Sequence, residues 1–191
     1  MREGNNDRRS VVGALVVVVA AMAVLLVGVV RERFSEGPGV TASRARRAMG
    51  DVGLEEVGGG RWRLAEHRGQ VVAINLWATW CGPCREETPM MVRLVRELGP
   101  RGFAVVGVSL DEGDRTGKVR AFAERFEVNY PLAFPEAMSQ MSVGLEGIPT
   151  TILVDRAGRV AKTYVGEVRE SVLRADVGTL LGEAGEATGD R

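Results

Sequence analysis

Val71 to Trp77 form an uncharged, mostly apolar run that leads almost directly into Cys81-Gly82-Pro83-Cys84. From Cys84 to Leu98 the apolar residues return at helical spacing, and Gly99-Pro100 ends the pattern. The first run is short enough for a strand buried on both faces. A buried strand that turns into a helix at a pair of cysteines admits few folds and few chemistries. These are the only two cysteines of the chain. A secreted disulfide scaffold needs more of them at scattered spacings. A structural zinc site needs four ligands, and beyond the cysteines there is one histidine, His67. Arg85 follows Cys84, which excludes haem attachment through Cys-x-x-Cys-His. Redox chemistry remains.

The position of the pair says how that chemistry would run. The first N–H groups of a helix lack intrahelical partners, and with the helix dipole they stabilise an anion. A thiolate at Cys81 would gain that stabilisation, which lowers a thiol pKa from about 8.5 towards roughly 3.5–7.5. Cys81 is then the expected nucleophile, and Cys84, one turn on, the residue that resolves the mixed disulfide. Gly82 allows close approach of a partner backbone, and Pro83 in the first turn costs no helical hydrogen bond.

Around this centre the chain reads as an α/β domain. Short strands are expected at Trp62–Leu64 and Pro131–Phe134, a second buried strand at Phe103–Leu110, and helices at Val119–Phe126 and Glu136–Val143. Thr150–Asp155 and Val160–Val165 read as a hairpin across Arg156-Ala157-Gly158, and Val168–Leu181 as a closing helix. Pro89 falls inside the first helix and is expected to kink it. Strands alternating with helices imply an α/β layer sandwich.

The N-terminal part is of a different kind. After a polar tail, residues 1–10, positions 11–30 carry no charge. A helix of that length spans roughly 30 Å, the hydrocarbon thickness of a bilayer. Val24 to Val30 continue the run beyond Ala21-Met22-Ala23, which favours an uncleaved transmembrane signal-anchor over a cleaved signal. Arginines flank both sides of the run, so charge does not set its orientation. A short tail before a first apolar segment points to an exported domain, and long domains translocate largely regardless of charge. Residues 31–51, with Glu36-Gly37-Pro38-Gly39, read as a linker in which Thr41–Met49 form a short basic helix. The folded domain is expected over 52–182 and a flexible tail over 183–191.

The stretch Val71-Val72-Ala73-Ile74-Asn75-Leu76-Trp77-Ala78-Thr79-Trp80-Cys81-Gly82-Pro83-Cys84-Arg85-Glu86-Glu87-Thr88-Pro89 closely resembles the active-site segment of TlpA/ResA-type thioredoxin-like proteins. The resemblance continues in Val105 to Asp111 and in Gly147-Ile148-Pro149-Thr150-Thr151-Ile152-Leu153-Val154-Asp155, and covers roughly residues 60 to 182. It implies a thioredoxin-like fold, a mixed sheet sandwiched by helices, preceded by one transmembrane helix. The implied activity is that of an extracytoplasmic, single-pass membrane-anchored thiol–disulfide oxidoreductase. It would reduce disulfides in exported client proteins, with cytochrome c maturation or copper-site assembly as client pathways.

Further roles come from the same resemblance. Electrons would arrive from a membrane thiol donor, and the redox-active group is the Cys81–Cys84 disulfide, with no cofactor or metal. Pro149 matches the cis-proline beside the active site, preceded by Ile148, and Trp80 matches the aromatic before the nucleophile. These residues, with Gly82 and Pro83, are the expected substrate contacts. Glu87 matches an acidic residue that handles protons of the cysteine pair, with neighbouring Glu86 competing for the role. Asn75 stands where many cytosolic thioredoxins carry a buried acid.

Other functions fit less well. A peroxiredoxin-type thiol peroxidase needs Pro-x-x-x-Thr-x-x-Cys, which is absent. A Sco-like copper chaperone uses Cys-x-x-x-Cys with a later histidine, and no histidine follows His67. Formal charge balances to zero and no basic stripe is interleaved with aromatics, which argues against a nucleic-acid partner. His67 is read as a surface loop residue, and Asp111, Glu112 and Asp114 as a solvated loop. Met90, Met91, Met138 and Met141 are read as core or groove lining.

Overall fold

The structure is a computed structural model that describes residue 22, residues 39–136 and residues 146–183. The chain divides between Gly37 and Pro38, and everything below concerns the unit from Pro38 onward. Its strands are β1 (Arg47–Ala48), β2 (Gly53–Glu56), β3 (Arg61–Arg63), β4 (Val71–Trp77), β5 (Phe103–Ser109), β6 (Leu132–Pro135), β7 (Thr150–Val154) and β8 (Arg159–Val165). The helices are α1 (Gly82–Leu98), α2 (Arg115–Arg125) and α3 (Glu170–Gly182). Among the described residues the strands form one mixed sheet in the order β1-β8-β7-β4-β5-β6-β2-β3. β4 pairs in parallel with β5 and antiparallel with β7, so it lies near the middle of the sheet and is buried throughout.

Alternation along β4 sorts its side chains between two cores. Val71 and Ala73 face a cluster with Met90, Met91, Leu94 and Leu98 of α1 and Val172, Leu173, Val177 and Leu180 of α3. Trp77, on the same face, packs with Val119 and Phe122 of α2. Val72, Ile74 and Leu76 face the other way, onto Leu54, Trp62 and Leu64. That second cluster contains no α-helical residue among the described ones. Among the described residues, the short strands β2 and β3 and the turn after them cover this face. β2 itself was not foreseen. Leu54 is its one buried side chain, set between glycine and two glutamates, and pairing with β3 and β6 holds it.

The expected helix over Thr41–Met49 is a 3₁₀ turn at Ser43–Ala45 followed by β1, which pairs with β8. The folded unit therefore takes in the second half of the stretch read as a linker. Arg46 explains why: its guanidinium is buried, donating to Asp155 at 3.1 Å and to both carboxylate oxygens of Glu183 at 2.7 Å. Glu183, the first residue of the stretch expected as a flexible tail, belongs to the folded unit, and 184–191 lie outside the described residues. So do positions 137–145, which hold most of the expected helix at 136–143, and the apolar run 11–30 apart from Met22. Among the described residues no helix is long and apolar enough to cross a membrane.

The hairpin is closed by Arg156-Ala157-Gly158, with Gly158 at φ 73°, a left-handed value that glycine adopts without steric cost. α1 runs through Pro89 as a continuous helix. Pro89 cannot donate to the carbonyl of Arg85, and Thr88 Oγ1 donates to the neighbouring carbonyl of Cys84 at 2.8 Å.

Candidate active site

β4 ends at Trp77, and a turn carries the chain to Cys81, the N-cap of α1. Cys81 and Cys84 are joined by a disulfide with Cα atoms 5.3 Å apart. The Cys84 backbone N–H donates to Cys81 Sγ at 3.2 Å, the hydrogen bond that an N-capping side chain accepts. The helix thus begins on the sulfur. Both cysteines are largely buried, whereas Gly82 and Pro83 are exposed, and a Cβ at Gly82 would meet open space. Trp80, beside them, is 69% exposed. An indole that large turned to solvent is available to a partner instead of serving the core.

The Ile148–Pro149 peptide is cis. Leu76 pairs with Thr150 across β4 and β7, which brings Pro149 to the end of β4 from which the cysteine turn departs. Ile148 packs against the cluster that contains Cys81 and Cys84. The Pro149 carbonyl accepts from the Gly166 N–H at 2.8 Å, and Thr150 Oγ1 donates to the Gly147 carbonyl.

Glu87 lies one turn beyond Cys84 and is 2% exposed, while Glu86 faces solvent. Between these two candidates, burial singles out Glu87. Its carboxylate accepts from Asn75 Nδ2 at 3.0 Å and from the Val168 N–H at 3.2 Å. Asn75 also donates to Thr151 Oγ1 at 3.0 Å. Burial pushes the Glu87 pKa up to about 7, the two donors offset only part of this, and the charge of Glu167 adds to it. Tyr130 nearby is raised for the same first reason, burial, with the charge of Glu87 second. A carboxyl poised near neutrality can accept or give a proton at the pH where thiols react.

The sequence profile described as the AhpC/TSA family matches residues 45–164. The chain belongs to that family. A thioredoxin-like protein YneN of Bacillus subtilis is 32% identical over 117 residues, 61% of this chain and 68% of that protein. The thiol-disulfide oxidoreductase ResA of Halalkalibacterium halodurans is 30% identical over 121 residues, 63% of this chain and 68% of that one. Among solved structures, a secreted thiol-disulfide isomerase from Corynebacterium glutamicum superposes with a TM-score of 0.69 at 27% identity, covering 75% of this chain and 91% of its own. This family member is a TlpA/ResA-like oxidoreductase of thioredoxin-like fold, acting on thiols and disulfides.

In this oxidoreductase the sequence-predicted residues Cys81, Cys84, Glu87, Trp80, Gly82, Pro83, Ile148 and Pro149 all fall at the C-terminal end of β4 or on the first two turns of α1. His67 belongs to the other end of β4, where its ring stacks on Trp62 at 4.8 Å and Nδ1 meets Gln70 Oε1. Three residues gained a role only in the structure. Asn75 donates to the Glu87 carboxylate, and Thr151 Oγ1 accepts from the same amide and so orients it. Asp111, read as part of a solvated loop, is 5% exposed, because the end of β5 folds it inward while Glu112 and Asp114 stay outside. Gly107, paired with Asn75, is the other silent requirement: a Cβ there would come within 2.6 Å of Leu132 and 2.9 Å of Trp77 Nε1.

Proposed function

We propose that this oxidoreductase reduces disulfides in exported proteins through Cys81 and Cys84. The observation that carries the reading is the Cys81 sulfur capping α1 while joined to Cys84, a pair already arranged for exchange. In the reduced protein, the Cys81 thiolate attacks one sulfur of a client disulfide. A mixed disulfide forms and the client's other sulfur leaves as a thiolate, which takes up a proton. The Cys84 thiol gives its proton to the Glu87 carboxylate and attacks Cys81 Sγ. The Cys81–Cys84 disulfide forms, the second client sulfur leaves, and Glu87 returns the proton to it. The client gains two electrons and two protons. The protein gives up two electrons and the Cys84 proton, and the other proton comes from solvent, which received it when Cys81 ionised.

A dithiol donor in the membrane then resets the pair by the reverse exchange, so the reaction needs no bound cofactor or metal. Trp80, Gly82 and Pro83, all exposed, together with Ile148 packed on the cysteine cluster and the buried cis-Pro149 next to it, form the client surface. The uncharged run at 11–30 supports a single-pass membrane anchor, the short tail before it supports a domain outside the cytoplasm, and the family resemblance supports cytochrome c maturation as a client pathway.

The test is a Cys84→Ser variant of the full chain expressed in cells and recovered after acid quenching. A mixed disulfide through Cys81 that collapses on reduction is expected, and its absence would count against the mechanism. The direction follows from the reduction potential of the pair: about −250 mV or lower for a reductant, near −120 mV for an oxidant.

A further inference from the structure

Asp111 is buried behind the turn that presents Cys81, and its bonds all go to that turn and to the strand end beside it. Thr79 donates to it twice, from its backbone N–H to Oδ2 at 2.9 Å and from its hydroxyl to Oδ1 at 2.6 Å. Ser109 Oγ donates to Oδ2 at 2.8 Å and accepts from the Asp111 N–H at 3.1 Å. Ser109 is the last residue of β5, paired with Trp77, the last of β4, and the Leu110 N–H donates to the Trp77 carbonyl. One carboxylate thus ties together the ends of the two parallel strands and the first step of the chain beyond them.

That step is the turn Ala78–Cys81, closed by the Cys81 N–H donating to the Ala78 carbonyl at 3.1 Å. Its two central residues are Thr79, which Asp111 grips by backbone and side chain, and Trp80, which stands in solvent. Ala78 and Cys81 at its ends are buried in the apolar cluster, but the two central residues are not, and small rotations at Thr79 would swing Cys81 off the helix N-terminus. We propose that Asp111 and Thr79 are positioning residues: their two hydrogen bonds fix the turn so that the Cys81 sulfur stays on the Cys84 N–H. This rests on Cys81 being the attacking sulfur. Neither residue touches the reacting atoms, and both act through the placement of Cys81.

The experiment uses the reduced full chain and two probes, iodoacetamide for the pH profile of thiol alkylation and insulin for disulfide reduction. Thr79→Val removes one donor without changing charge. It should move the midpoint of Cys81 alkylation to higher pH and slow insulin reduction at pH 7 by about tenfold, roughly the worth of one charge-assisted hydrogen bond. Thr79→Ser restores the hydroxyl and should return both readouts to within about twofold of the parent. Asp111→Asn separates position from charge. Loss of a nearby negative charge alone would lower the midpoint, whereas a loosened turn raises it. A Thr79→Val profile that matches the parent, a Thr79→Ser variant as impaired as Thr79→Val, or a lowered midpoint in Asp111→Asn would each overturn the proposal. Mass mapping of the alkylated residue in the parent keeps the underlying assignment separate. Label on Cys84 would overturn the nucleophile assignment itself, whatever the variants do.

Discussion

Glu87 and Asp155 are both almost wholly buried, 2% and 3% exposed, yet the molecule treats them in opposite ways. They lie along the same strand pair. Asn75, which holds Glu87, pairs with Thr151 of β7, and Asp155 follows the far end of that strand about 13 Å further on. Burial alone would raise both pKa values. At Asp155 it is outweighed by the Arg159 N–H and by the guanidinium groups of Arg46 and Arg159, which hold the carboxyl below its ordinary range. At Glu87 the compensation comes from an amide and a backbone N–H alone, and the carboxyl rises to about 7. A buried acid with counter-charges is a permanent anion and serves as scaffold. A buried acid given only neutral donors keeps its proton within reach, and that is the one placed a turn from the cysteines.

The scaffold end should give the largest response. Arg46→Ala would leave Asp155 with Arg159 as its remaining cation and Glu183 without its partner, and the loss should approach the lower end of the about 3–5 kcal/mol that breaking a buried pair costs. Urea unfolding at pH 7 would measure it, and a loss below 1 kcal/mol would break the contrast. Asp155→Asn sharpens the same point through pH. A depressed folded pKa gives stability that is present above the unfolded value, near 3.8, and is lost as pH falls through the folded one. The parent should therefore lose stability on acidification in a way that the Asn variant does not.

Glu87 predicts the reverse slope. Its folded pKa lies above the unfolded value of 4.5, so its contribution is intact below that value and is lost as pH rises to about 7. Glu87→Gln removes this dependence. Relative to the parent, it should gain about 3 kcal/mol between pH 4 and pH 8, at about 1.36 kcal/mol per pH unit. The same variant should shift the pH profile of cysteine reactivity, and an unchanged profile would leave Glu87 as scaffold. The smallest stability effect is expected at Trp80. With its ring in solvent, Trp80→Ala should change unfolding free energy by no more than about 0.5 kcal/mol while slowing reduction of a protein disulfide more than of a small one. A change of 2 kcal/mol would mean that the indole packs after all.

The site end was far more legible in the sequence than the scaffold end. β4 fell on Val71–Trp77 as expected, since a fully buried strand is apolar on both faces. α1 starts two residues before the expected Cys84, because the cap is a cysteine sulfur, outside the usual capping residues. Arg46 stands in a basic run with Arg44 and Arg47, and nothing local marks it as the buried one. Its partners lie 109 and 137 residues away. Asp111 was hidden likewise among Glu112 and Asp114. Glu87 was legible only through family resemblance, since Glu86 beside it has the same chemistry and helical phase decides which one turns inward.

The most direct measurement is the titration of the Glu87 side chain itself. The Glu87 carboxyl carbon shift, followed by NMR in the oxidised full chain from pH 3 to pH 9, should show a midpoint near 7. A midpoint near 4.5, the value of an ordinary glutamate, would contradict the assignment of this carboxyl as the proton carrier of the cysteine pair.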